Sequence, residues 1–130
     1  VLLALAAMLQ VVRLARWQGY RTFGDSIVVI LHIGYLWVPI GLGLLGAALL
    51  GAAIPGSAAI HALTAGAMAT MILAVMTRAT LGHTGRALEA SAPTTFLYLL
   101  VTIGAVLRVA APIGLIDYRI GMEAAALAWA

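Results

Sequence analysis

Long apolar runs separated by short polar breaks are the main pattern along this chain. Three runs approach the about 20 residues that a helix needs to cross a hydrocarbon core of about 30 Å. The pattern predicts an all-α fold, a polytopic transmembrane helix bundle that forms part of a single larger transmembrane domain over 1–130. We expect a fragment of a longer protein with three full spans and two partial helices. The full spans are 27–50, 58–77 and 94–111, and the partial helices are 1–16 and 116–130.

The breaks contain residues that begin or end helices. Asp25 or Ser26 is expected to cap the second helix and Ser57 the third, because their side-chain oxygens accept hydrogen bonds from first-turn amides. Pro112 and Gly114 are expected to end the fourth helix. These residues set the predicted boundaries.

Small residues recur at every fourth position in two of the predicted spans. Rows of this kind let helix backbones approach closely in lipid, although the chain is rich in Ala and Gly throughout. The rows are Ala62, Gly66, Thr70 and Ala74 in the third helix and Gly43, Ala47 and Gly51 in the second.

Composition narrows the class of protein. Hydrophobic residues make up 65% of the chain and charged residues 8%, against about 45–50% and about 25% in soluble domains. Such a chain cannot cover itself with polar surface, which excludes a soluble enzyme, a disordered tail and a nucleic-acid-binding module. Cysteine is absent, so a metal or haem bound here would use His, Met or oxygen ligands.

The seven positive charges are all arginines, and they are unevenly placed. Cytoplasmic connections carry the excess of positive residues in multi-pass proteins. Five arginines lie in the connections 13–26 and 78–93, and two lie in the last part of the chain. We therefore expect the first two connections to be cytoplasmic.

Three histidines are the first candidates for chemistry, because imidazole is rare in membrane spans and is a common ligand of haem and copper. His32 and His61 enter the membrane from opposite faces, so we expect them roughly 15–20 Å apart along its normal and not on one haem. His32 and His83 could share a site. The alternative for each is a packed histidine bonded to a carbonyl or a nearby hydroxyl.

Arg78 and Arg86 bracket a Gly-His-Thr-Gly sequence at residues 82–85. If this sequence forms a turn with free amides, it could hold an anion between the two guanidinium groups. The alternative is a connection that contacts lipid headgroups.

Met68 and Glu123 complete the candidate set. Met68 follows His61 by seven residues, which places both on one helical face and would suit copper(I). Glu123 is a candidate proton relay or histidine partner. Met68 could instead fill space in the bundle, and Glu123 could pair with Arg119 four residues earlier.

The stretch from His61 to Arg86 resembles the signature region of the NnrS family. Upstream, His32-Ile-Gly-Tyr-Leu-Trp37 resembles a neighbouring segment of the family, and Leu107-Arg108-Val-Ala-Ala-Pro112 resembles one downstream. The resemblance covers most of the chain. Ala69 stands where the family pattern commonly has glycine. Members are polytopic bacterial inner-membrane proteins of roughly twelve helices at about 20 residues per span.

The resemblance implies a protein that contains haem (b-type) and copper and acts in the response to nitric oxide, nitrosative stress and denitrification. It implies nitric oxide, the lipid bilayer and further helices of the whole chain as partners. Whether such a protein is an enzyme is left open. By position it makes His61 and His83, then His32, candidate cofactor ligands, with Arg78 and Arg86 near propionates. Together with Met68, which is proposed from its spacing to His61, the candidate metal ligands are His61, His83 and Met68.

A second reading of the same residues is a cofactor-free transporter or channel subunit. In it the histidines, Glu123 and Arg108 would line a proton or anion path. A structural helix bundle that serves a partner is the third alternative.

Overall fold

A computed structural model describes residues 1–130, and it is all-helical. Three of its helices are long and apolar enough to cross a membrane, which confirms the predicted fold class. A short 3₁₀ turn, Gly19–Arg21, follows the first helix. The helices are α1 Leu2–Arg16, α2 Ser26–Leu49, α3 Gly56–His83, α4 Ala92–Ala110 and α5 Tyr118–Trp129.

Consecutive helices pack side by side. α2 contacts α1 and α3, α4 packs on α3, and α5 packs on α4. α2 and α3 are antiparallel, since Gly34 meets Met71 while Gly41 meets Leu63. Residues 17–25 and 84–91 therefore lie at one end of the bundle, which we call the arginine-rich end. Residues 50–55 and 111–117 lie at the opposite end.

The interface between α2 and α3 is built from the small-residue row of α3. All four of its members are buried, and Ala62, Thr70 and Ala74 have no exposed surface. A Cβ atom on Gly66 would lie 2.5 Å from the ring of Trp37, which is itself buried. The predicted packing row of the third helix is confirmed.

The corresponding prediction for α2 is wrong. Gly43 faces open space, and Gly51 lies in the turn after the helix with φ +85°. The residues that meet α3 are Gly34 and Gly41, seven positions apart. Seven residues complete almost two α-helical turns, whereas steps of four drift around the helix. In α3 the residues at every fourth position stay on one face, because part of that helix is a π segment. A π turn contains more residues than an α turn, so a step of four does not rotate away from the interface in the same direction.

The cap predicted at the start of α2 is confirmed, and the cap predicted at the start of α3 is wrong. The carboxylate of Asp25 accepts hydrogen bonds from the amides of Ile27 and Val28 at 2.9 and 3.3 Å, so Asp25 is the cap of α2. Ser57 does not cap α3, because the helix begins at Gly56 and Ser57 already lies inside its first turn. At the end of α4, Gly114 follows with φ +79°.

The third span is longer than predicted. We expected it to end at residue 77, where polar residues begin, but the helix continues to His83. The hydroxyls of Thr77 and Thr84 donate to the carbonyls of Leu73 and Thr80, each at 2.8 Å. These threonines satisfy their polar groups on the helix itself, so the fall in hydropathy does not end it.

Replacing Gly66 with alanine tests the α2–α3 interface. The added methyl group would displace the buried ring of Trp37, and overpacking of this kind destabilises by about 1–3 kcal/mol. The matched control is Gly43→Ala, whose methyl group meets nothing within 4 Å and which improves helix propensity by up to about 1 kcal/mol. The free energy of unfolding in mixed micelles measures both, and equal stability of the two variants would show that this interface is absent.

Candidate functional site

Near the opposite end of the bundle, residues of three helices line an open cleft of about 320 Å³. α3 provides most of the wall, α4 provides Arg108, and α5 provides Trp129. We call it the His61–Arg108 cleft. Its lining residues are His61, Thr64, Ala65, Met68, Ala69, Ile72, Arg108 and Trp129.

The α3 wall of the cleft coincides with a change in helix type. After His61 the helix widens into a π segment, Ala62–Ala69, and returns to α geometry at Thr70. The hydroxyl of Thr64 donates to the carbonyl of Ile60 at 2.7 Å, where the widening begins. π segments are rare and occur frequently at functional sites. His61 directly precedes this segment and Met68 lies within it. Both line the cleft, as their spacing predicts.

Arg108 faces the same cleft from α4. It lies two residues before the end of the helix, and its Nε atom is buried without a hydrogen-bond partner. The guanidinium carbon lies 5.2 Å from the centre of the Trp129 ring, within the range of a cation–π interaction. Trp129 itself packs closely over Gly104, where a Cβ atom would lie 2.3 Å from the indole. Arg108 therefore lies against an aromatic ring and lines the same cleft as His61.

His32 lies elsewhere, at the contact between α1 and α2. Its Nδ1 atom donates to the carbonyl of Val28 at 2.8 Å. Because a carbonyl only accepts, Nδ1 carries the proton of this bond, and Nε2 is the nitrogen left for a ligand. Nε2 is buried without a partner, and a Cβ atom on Gly19 would lie 2.9 Å from it. His32 thus adopts the carbonyl-bonded arrangement, with its free nitrogen covered by Gly19.

Aromatic and polar side chains hold the His32 region together. The Trp17 ring lies edge-on to His32 with centroids 5.9 Å apart, and 4.6 Å from the Tyr35 centroid. The guanidinium carbon of Arg13 lies 5.5 Å from the Trp17 ring and 5.9 Å from the Tyr35 ring. The hydroxyl of Tyr35 donates to Oε1 of Gln10. This cluster fastens α1 to α2.

The three histidines lie at three levels of the bundle. The contact of Gly34 with Met71 places His32 near the level of residue 72 in α3. His61 and His83 then lie about 15 Å from that level in opposite directions along the helix axis. The structure does not bring His32 and His83 together, because the longer α3 carries His83 beyond the arginine-rich end of α2.

In the structure, residues 82–85 do not form the turn with free amides on which the anion reading depended. Residues 82 and 83 are helical, His83 is exposed, and the next three amides close the helix instead of remaining free. Arg78 and Arg86 are exposed at the same end. The closing bonds run from the amides of Thr84, Gly85 and Arg86 to the carbonyls of Thr80, Gly82 and Leu81.

Glu123 does not reach His61. Its Oε1 atom accepts a hydrogen bond from Nε of Arg119 at 2.8 Å, and both side chains are well exposed. The ion pair spans four residues of α5, which is the alternative that the spacing left open. The described structure therefore provides no carboxylate partner for the histidines from α5.

The sequence reasoning missed two residues that shape these sites. Nothing in the sequence around Trp129 indicates its role, because it lies in a short apolar helix and contacts Arg108 only through tertiary packing. The role of Gln10 could have been predicted, since it is the one uncharged polar residue in α1. A lone amide in an apolar helix indicates a partner on a neighbouring helix.

Comparison with known proteins gives one match. A family model described as NnrS protein matches residues 1–130. No curated protein and no solved structure matches the chain.

A double-mutant cycle tests the bond that links α1 to α2. Gln10→Leu and Tyr35→Phe each remove one partner, and the double variant removes both. Interhelical hydrogen bonds in membranes contribute about 0.6 kcal/mol on average and at most about 1.7 kcal/mol. We expect a coupling in that range in unfolding measurements in mixed micelles, and strictly additive effects would contradict the bond.

Proposed function

This chain belongs to the NnrS protein family, a family of the response to nitric oxide, and on that premise we propose a haem- and copper-containing membrane protein. It would act in the defence against nitrosative stress that accompanies denitrification, by binding nitric oxide or by redox chemistry on it. The bacterial inner membrane is the proposed location.

The observation that carries this proposal is the composition of the His61–Arg108 cleft. An imidazole and a thioether, from His61 and Met68, line one opening beside the guanidinium group of Arg108. Imidazole and thioether ligands suit copper(I), and both also serve as axial ligands of haem. A guanidinium group suits the carboxylates of a haem.

The donor set fits one side of a cofactor site. The described residues bring together no group of three or more His, Asp or Glu side chains, and His61 and Met68 supply two donors. His32 fits less well because Gly19 covers its free nitrogen. His83 is exposed on the same helix as His61 but about 30 Å away. We therefore propose His61 and Met68 as ligands, with the remaining ligands supplied from outside these residues.

Haem iron or copper(I), when bound, supplies the centre at which nitric oxide binds. The residues of this chain would hold such a group. Ala65, Ala69 and Ile72 give the cleft an apolar wall, and Trp129 lines it on the α5 side. Arg108 supplies fixed positive charge that stabilises negative charge beside His61.

Charge also supports an orientation. Five of the seven arginines lie at or near the arginine-rich end, and Arg108 and Arg119 lie toward the opposite end. We propose by the positive-inside rule that the arginine-rich end is cytoplasmic. The His61–Arg108 cleft then lies toward the outer side of the membrane.

The alternative of a cofactor-free transporter or channel needs polar residues that continue one another across the membrane. The structure separates them, since His32 is closed in beneath Gly19 and Glu123 pairs with Arg119 on the exposed side of α5. His61 and Arg108 do share one cleft, and a bound cofactor needs only that local group.

Substitution of the cleft ligands tests the proposal. The intact protein is purified from membranes, and its Soret absorption, iron content and copper content are measured with and without nitric oxide. We expect the wild type to contain haem and copper and its Soret band to shift with nitric oxide. His61→Ala should abolish or shift that band, and Met68→Leu should lower copper content by about 10-fold or more, comparable to the loss of a metal-orienting group.

His83→Ala is the matched control, because it removes an exposed imidazole from the far end of the same helix. It should leave the spectrum and the metal content as in the wild type. The proposal fails if the wild-type protein contains neither haem nor copper. The assignment of the site fails if His61→Ala and wild type have the same spectrum and metal content.

A further inference from the structure

Arg108 presents a charge in an apolar helix that the rest of the chain does not neutralise. Its Nε atom is buried without a hydrogen-bond partner, in the last turns of α4. An arginine within a membrane span is destabilising unless it pairs, faces a polar cavity or reaches the interface. Arg108 faces the open His61–Arg108 cleft, so the group that compensates its charge is to be sought in that cleft.

The acids of this chain are all placed elsewhere. Asp25 and Asp117 cap the helices α2 and α5 through bonds to backbone amides. Glu123 is paired with Arg119. Glu89 lies in the exposed connection at the arginine-rich end, away from the cleft. The sequence contains four acidic residues in total, so none remains for Arg108.

Trp129 accounts for part of the stabilisation of Arg108 but leaves its hydrogen bonding incomplete. The face of the indole attracts the cation at 5.2 Å, yet it offers no oxygen acceptor. Guanidinium has five N–H donors arranged as a fork, and this fork matches two oxygens of a planar anion. The hydroxyl of Thr64, the other small polar group of the cleft, donates to the carbonyl of Ile60 and makes no hydrogen bond with Arg108.

The cleft has the position and the size for such an anion. Its volume of about 320 Å³ exceeds the about 30 Å³ that one water occupies in the liquid, so a group of several atoms fits. His61 stands on the facing wall as a second possible donor. The cleft thus combines a cation and an imidazole, and none of the acidic residues of this chain lies in its lining.

We propose that the His61–Arg108 cleft binds a small planar oxyanion or a carboxylate, with Arg108 as its principal donor and His61 as the second. Nitrite, nitrate, bicarbonate and acetate have the required pair of acceptor oxygens, and the carboxylate of a bound cofactor shares that chemistry. The inference uses the cleft of the proposed function but does not depend on a metal, since Arg108 has no acidic partner among the described residues whether or not a metal is bound.

Anion titration of the intact purified protein tests this inference in two preparations, one as isolated and one freed of cofactor. Nitrite, nitrate or acetate is added at constant ionic strength with chloride as the reference salt, and calorimetry and the thermal midpoint are recorded. We expect saturable heat and a rise in midpoint with the planar anions that chloride does not reproduce.

The variants assign the effect to Arg108. Arg108→Gln should weaken binding by about 10-fold or more, as expected for loss of a charge-assisted bidentate pair. Arg108→Lys keeps the charge without the fork and should show an intermediate loss, which provides a readout if the glutamine variant does not fold. Arg119→Gln, which removes an exposed guanidinium on α5, is the matched control and should bind like the wild type.

The two preparations distinguish the source of the anion. Equal binding in both indicates a free oxyanion, whereas binding only after removal of the cofactor indicates that a cofactor carboxylate occupies the same place. Absence of saturable binding in both would overturn the inference, as would unchanged affinity in a folded Arg108→Gln variant. Metal and haem content, measured in parallel, reports separately on the proposed function.

Discussion

The close approach of α2 and α3 through glycine and alanine sets the register of the bundle and the level at which His61 lies. Gly66 admits the Trp37 ring, and Gly41 admits Leu63, so the two helices meet at one register. Between helices in lipid there is little hydrophobic driving force, and close van der Waals packing carries the association. Ala105 and Val109 of α4 complete the same buried cluster. Because Arg108 lies between them, packing of α4 against α3 brings its guanidinium group to the wall that holds His61.

The sequence predicted most of the fold because membrane helices must satisfy their backbone internally over a fixed length. That constraint identified the three spans and the Asp25 cap. Two predictions failed where hydropathy alone does not decide. The polar residues after 77 did not end α3, which continues to His83 with the Thr77 hydroxyl bonded to its own helix. The glycines that contact α3 are Gly34 and Gly41, seven residues apart, and not Gly43.

The candidate site was less predictable, since it depends on which residues tertiary packing brings together. The spacing of His61 and Met68 was informative because both lie on one helix. The partnership of His61 with Arg108 and Trp129 joins three helices, and no local pattern contains it. The π segment that follows His61 could not be predicted either, because its residues are the same small ones that build an ordinary α-helix.

Cysteine cross-linking shows whether positions 61 and 108 lie in one cleft. The described residues contain no cysteine, so the pair His61→Cys and Arg108→Cys can be introduced and treated in membranes with a short bifunctional thiol reagent. We expect a cross-linked peptide that joins positions 61 and 108. We expect none for the pair His83→Cys and Arg108→Cys, which lie toward opposite ends of the bundle. Cross-linking of the second pair without the first would show that Arg108 and His61 do not line one cleft.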